Sequence, residues 1–66
     1  MQVILNGEPI QLPGAQTVAT LLQARGLGER RVAVEINGTI VPRSGHADQS
    51  LHEGDRIEIV HALGGG

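Results

Sequence analysis

The chain has 66 residues with no Cys, no Lys and no aromatic side chain, and five Arg against seven acids leave a formal charge of −2. That length makes one domain, which buries only about 60% of the surface its unfolded form exposes. The composition excludes disulfide staples, thiolate metal sites and a cysteine nucleophile, and it removes the stacking platforms on which single-strand nucleic-acid binders rely.

Arg25, Arg30, Arg31, Arg43 and Arg56 are spread along the chain with one adjacent pair, so no nucleic-acid partner is expected. No apolar run approaches the ~20 residues of a membrane span, and no signal peptide opens the chain. The expectation is a cytoplasmic protein, away from any membrane, built on an aliphatic core.

Residues 1–5 are β-rich, and Asn6-Gly7 is a strong hairpin signal leading into a returning strand over 8–12. Pro9 cannot donate to a ladder, which puts that strand at a sheet edge. Thr17 is a good N-cap, and Val18, Leu21 and Leu22 follow at helical spacing. Gly26 closes the helix, which is predicted from Val18 to Arg25. Val32, Val34 and Ile36 alternate as a half-buried strand, and Asn37-Gly38 turns the chain into a strand over 39–41, with Pro42 marking a second edge. Residues 43–49 read as polar and irregular, Leu51 as a plug for the core, and Gly54-Asp55 as a turn into the last strand, 56–61.

The order β-β-α-β-β-β calls for an α+β fold in which one mixed sheet of about five strands covers one helix. The ubiquitin-like β-grasp fits this, with the first strand central, the last parallel beside it and Pro9 and Pro42 on opposite edges. Residues 1–62 form the domain, and 63–66 form a flexible glycine-rich tail. Gly64, Gly65 and Gly66 cost the most entropy to order and add nothing to a core. Lacking Cβ atoms, they suit a narrow channel, through which residues 63–66 reach about 13 Å when extended. A carboxylate at the tip is a poor electrophile until another enzyme activates it. Alternation points Ile57 and Ile59 inward and Ile4 and Val60 outward. With Ala62 and Leu63, the outward pair is expected to form an apolar partner interface beside the tail.

Asn6-Gly7, Thr17-Val18, Leu21-Leu22, Ile36-Asn37, Ile40-Val41-Pro42-Arg43, Gly54-Asp55 with Ile57 and Ile59, and the terminal Gly64-Gly65-Gly66 resemble the thiamine-pathway sulfur carriers, the ThiS family. The resemblance spans the whole chain and is least marked over 26–31. It implies a protein cosubstrate that catalyses nothing itself and holds no permanent cofactor. An E1-like adenylating enzyme would use ATP to make the Gly66 acyl-adenylate. A persulfide-carrying donor, a cysteine desulfurase or a relay, would displace AMP to leave a thiocarboxylate. Thiazole synthase would take the sulfur, with Gly64 and Gly65 threading the partner active sites. The free carrier is expected to be a monomer. The rival readings are a molybdopterin synthase small subunit, usually longer between helix and later strands, a ubiquitin-like modifier joined to lysines through Gly66, and an interaction domain with an inert tail.

His46, His52 and His61 have no helical i, i+4 partner and are expected to be solvated, with no metal site. An activated C-terminus beside an internal amine or thiol would acylate copies of its own chain, and the absence of Lys and Cys removes those competitors. A surface Lys introduced into this chain is therefore expected to give self-conjugates under activating conditions, read as a dimeric mass.

Overall fold

In the computed structural model, which describes residues 1–61, both Asn-Gly pairs fold as two-residue turns with left-handed backbone at each position: φ is 48° and 85° at Asn6 and Gly7, and 52° and 87° at Asn37 and Gly38. Such turns match the twist of the strands they join. The first links β1 (Gln2–Leu5) to β2 (Glu8–Gln11), and the second links β3 (Val32–Ile36) to β4 (Thr39–Val41). Strand β5 (Arg56–His61) lies between the two hairpins, giving the order β2-β1-β5-β3-β4. It runs parallel to β1, with Ile4 beside Arg56 and Leu5 beside Ile57, and antiparallel to β3 from Ile36↔Ile57 to Val32↔His61. Pro9 sits in edge strand β2, and Pro42 directly follows edge strand β4, where a missing donor costs no ladder bond. The second strand ends one residue short of expectation, at Gln11.

Helix α1 (Val18–Ala24) buries Val18, Leu21 and Leu22. Its start is a capping box: Thr17 Oγ1 accepts from the Thr20 N–H at 3.2 Å, and Thr20 Oγ1 accepts from the Thr17 N–H at 2.8 Å. The remaining open donors of the first turn find carbonyls in the loop after β4. Val18 N–H donates to Gln49 O and Ala19 N–H to His46 O. The helix stops at Ala24, with Arg25 as its C-cap, because Gly26 turns left-handed at φ 73°. Gly26 N–H then donates to Gln23 O and Leu27 N–H to Leu22 O, and this Schellman closure brings Leu27 against the core.

The core is aliphatic, with Val3, Val18, Leu21, Val34 and Ile57 the largest side chains almost fully withdrawn from water. Leu51 joins them at 4% exposure as the plug between the loop and the last strand.

One expectation fails here. His46 is not solvated; it is 7% exposed, the one polar residue buried among the described residues. A 3₁₀ turn over Arg43–Gly45 folds the loop inward, and the ring Nε2 donates to Val41 O at 3.1 Å. The bond removes the desolvation penalty that would otherwise keep an imidazole at the surface. Loop packing overrides local polarity.

Two stability tests follow from these contacts. Leu21→Ala should cost about 2–5 kcal/mol in urea unfolding, a large share of what so small a domain has. His46→Ala should cost about 2 kcal/mol, whereas His52→Ala, at an exposed position, should stay within about 0.5 kcal/mol of wild type.

Candidate functional site

Gly64, Gly65 and Gly66, the residues on which the chemistry was expected to turn, lie outside the described residues, as do Ala62 and Leu63. What the fold does position is the place from which they leave. β5 is an interior strand, so the chain departs from the middle of the sheet, with β3 paired to it as far as His61. β1 backs the first half of β5, to Leu5↔Ile57, and β3 alone continues the ladder to His61.

On the outer face, away from α1, Arg56, Glu58 and Val60 alternate along β5. Val60 is 58% exposed and stands opposite Ala33. Ile4 is half-buried and lies beside Arg56 on one side and Pro9 on the other. Both therefore point outward, but they are separated by four residues of β5, about 13 Å along the strand, with Glu58 between them. The fold places Val60 next to the departing chain and Ile4 at the opposite end.

A different apolar neighbour, unforeseen in the sequence, lies on this face. Ile40 is 66% exposed and pairs with Glu35, in the strand next to β5. Alternation against inward Val41 was the signal that would have revealed it.

The acids of the 53–58 stretch divide by role. Asp55 is committed to the turn before β5: its Oδ2 accepts from the His52 N–H at 2.8 Å and its Oδ1 from Asn37 Nδ2 at 3.1 Å. Glu53 Oε1 accepts from the Gln2 N–H at 3.0 Å. Glu58 remains on the outer face, directly opposite Glu35. Like charges set across a ladder oppose sheet pairing.

Beneath the end of β5 is a groove of about 250 Å³, floored by Leu27 and Ile59 and rimmed by Glu8, Arg25 and His61. His61 thus faces the helix side, next to the point of departure. Among the described residues, no three of His, Cys, Asp and Glu come together as metal ligands, and no helix is long and apolar enough to cross a membrane.

A five-stranded mixed sheet over one helix, its last strand central and parallel to its first, defines a ubiquitin-like β-grasp protein. The sequence model of the ThiS family matches residues 3–66, and the chain belongs to that family. It is 33% identical to the sulfur carrier protein ThiS of Escherichia coli over 66 residues, covering 100% of both chains. It superposes on the crystal structure of the thiamine biosynthesis protein ThiS from Geobacter metallireducens with a TM-score of 0.86 at 30% identity, again covering 100% of both. It is also 42% identical over 66 residues to the thiazole synthase of Paramagnetospirillum magneticum, and it spans only 20% of that protein's length.

The Glu35–Glu58 opposition yields a direct test. Glu58→Gln should raise stability by about 0.5 kcal/mol at low ionic strength, and the gain should shrink in high salt as the charges are screened.

Proposed function

We propose that this chain is the sulfur carrier of thiamine biosynthesis and that Gly66 carries the sulfur. The observation that supports this best is the match to the E. coli carrier over 66 residues, within a family match that takes in Gly64, Gly65 and Gly66. The match to one-fifth of a thiazole synthase supports the partner: in that relative, residues like these share a single polypeptide with the synthase.

The chemistry begins with an E1-like enzyme. The Gly66 carboxylate attacks the α-phosphorus of ATP, pyrophosphate leaves, and the resulting acyl-adenylate is a competent electrophile. The terminal sulfur of a persulfide donor, a cysteine desulfurase or a relay, attacks the carbonyl and expels AMP. A second thiol cleaves the S–S bond of that acyl disulfide, leaving a thiocarboxylate on Gly66 and a disulfide on the donor side. The thiocarboxylate is anionic and nucleophilic at neutral pH, and thiazole synthase draws its sulfur into the ring. All bond-making groups except the Gly66 carboxyl come from partners, so the carrier acts as a cosubstrate in the cytoplasm and is a monomer when free.

Gly64 and Gly65 supply a passage without side chains through each partner's channel. The docking surface is the outer sheet face centred on Val60, with Ile40 across the sheet and Ile4 at its far margin, and Ala62 and Leu63, outside the described residues, remain part of the proposed interface. Exposed branched aliphatics beside a functional tail suit burial against a partner more than they suit water.

The test is the intact mass of the chain after incubation with its cognate adenylating enzyme, ATP and a persulfide donor. The expected gain equals one sulfur replacing one oxygen, and it disappears when Gly65 and Gly66 are deleted. No gain with enzymes that process another carrier would refute the reading. Val60→Asp should raise the carrier's KM with the adenylating enzyme roughly tenfold while leaving thermal stability within the range of an ordinary surface change.

A further inference from the structure

The Asn6 side chain makes two bonds to the backbone of the last strand. Ile59 N–H donates to Asn6 Oδ1 at 2.8 Å, and Asn6 Nδ2 donates to Ile59 O at 3.2 Å. Their place in the ladder shows what they do. The parallel pairing of β1 with β5 climbs through Ile4 N–H to Asp55 O and Asn6 N–H to Ile57 O, both at 2.8 Å. The next rung of a parallel ladder needs an acceptor for the Ile59 N–H and a donor for Ile59 O. The β1 main chain cannot supply them, because at Asn6 it turns away into the hairpin with β2. The carboxamide of Asn6 takes the place of the missing peptide group, so β5 stays paired on its β1 side one rung beyond the end of β1.

We propose that Asn6 is a positioning residue for the C-terminal tail: by extending the grip on β5 to Ile59, it fixes the place and direction in which β5 ends at His61, the residue from which the tail continues. The proposal rests on the carrier reading above. Ile59 is two residues before His61, the last residue of β5. On the other side, β3 pairs with β5 through Val32↔His61. Without the carboxamide, the last rungs of β5 are tied from one side only, and the strand end can swing about β3. A partner that must thread a narrow tail then has to select one exit direction from several, at a cost in binding entropy.

The choice of residue agrees. The first position of this turn needs φ near +50°, which Gly, Asn and Asp accept. Gly offers no side-chain group, and Asp offers acceptors without a donor. Asn alone satisfies the backbone and both edges of the rung.

The second turn supplies a matched control within the same fold. Asn37 stands at the other end of β5, where its Oδ1 accepts from the Arg56 N–H at 3.0 Å and its Nδ2 donates to Asp55 Oδ1 at 3.1 Å. Asn6→Gly and Asn37→Gly each keep the left-handed turn and remove two side-chain hydrogen bonds, both to Ile59 of β5 for Asn6, and one to Arg56 of β5 and one to the Asp55 carboxylate before it for Asn37. A purely structural role predicts similar behaviour of the two, whereas a tail-positioning role does not.

The experiment measures both variants, with Asn6→Asp, in two ways: amide exchange at Val60, and steady-state thiocarboxylate formation with the cognate adenylating enzyme. Asn6→Gly should speed Val60 exchange and raise the carrier's KM roughly three- to tenfold with kcat near wild type, the cost of ordering a loosened strand end. Asn6→Asp, which keeps the acceptor for Ile59 N–H, should fall between Asn6→Gly and wild type. Asn37→Gly should leave Val60 exchange unchanged and KM within about twofold, even at equal loss of stability. Equal kinetic effects of the two glycine variants, or unchanged Val60 exchange in Asn6→Gly, would overturn the assignment. If the wild type is not processed at all, the carrier reading fails instead, and the exchange comparison, which needs no partner, still decides whether Asn6 holds the end of β5.

Discussion

Everything in this fold depends on one long-range pairing, the insertion of β5 between β1 and β3. The two hairpins are local structures, and a two-stranded hairpin alone is marginal in water. β5 joins them into one sheet by bonding Ile4 and Leu5 to residues more than fifty positions later. Only then do Val3, Leu5, Val34, Ile36, Ile57 and Ile59 present a continuous apolar face for α1 to cover. β3 follows that strand to His61, whereas β1 leaves it after Ile57.

An aliphatic core in a small domain leaves little margin, and the remaining polar groups are placed to avoid wasting it. The open donors at the start of α1 are met by Gln49 O and His46 O, so the irregular loop after β4 acts as the helix's cap. His46 is drawn inside by that arrangement, and its ring bond to Val41 O ties the loop back to the edge strand. No buried side-chain nitrogen or oxygen among the described residues is left without a partner. In return, the outer sheet face carries features that pairing alone would not select: exposed Val60 and Ile40 and the facing acids Glu35 and Glu58. Such features concentrate where a surface serves something other than its own fold.

The two asparagines show how one residue can carry two roles. Each was legible as a turn former, because Asn-Gly between alternating segments signals a local backbone requirement. Neither was legible as a clamp on β5, since the groups they grip, Ile59 for Asn6 and Arg56 for Asn37, lie 53 and 19 residues away. The same contrast of local and distant holds for the outer sheet face. Outward Val60 and Ile4 followed from alternation, which is a property of one strand. Their separation along the sheet followed from the register between β1 and β5, which no single strand encodes.

The sequence by itself determined the order of elements, the two left-handed turns, the edge positions of the prolines, the inward set of aliphatics and the family to which the terminal glycines belong. Each of these rests on contacts between near neighbours or on residue types with one conformational use, such as Pro at an edge, Gly after a helix and Asn-Gly at a tight turn. The tertiary structure alone decided that His46 is buried, that Leu27 closes the helix onto the core, that Glu35 faces Glu58, and that Asn6 completes a rung of the parallel ladder. Those outcomes depend on which distant backbone comes alongside, and that is set by packing β5 between two hairpins, not by any local pattern.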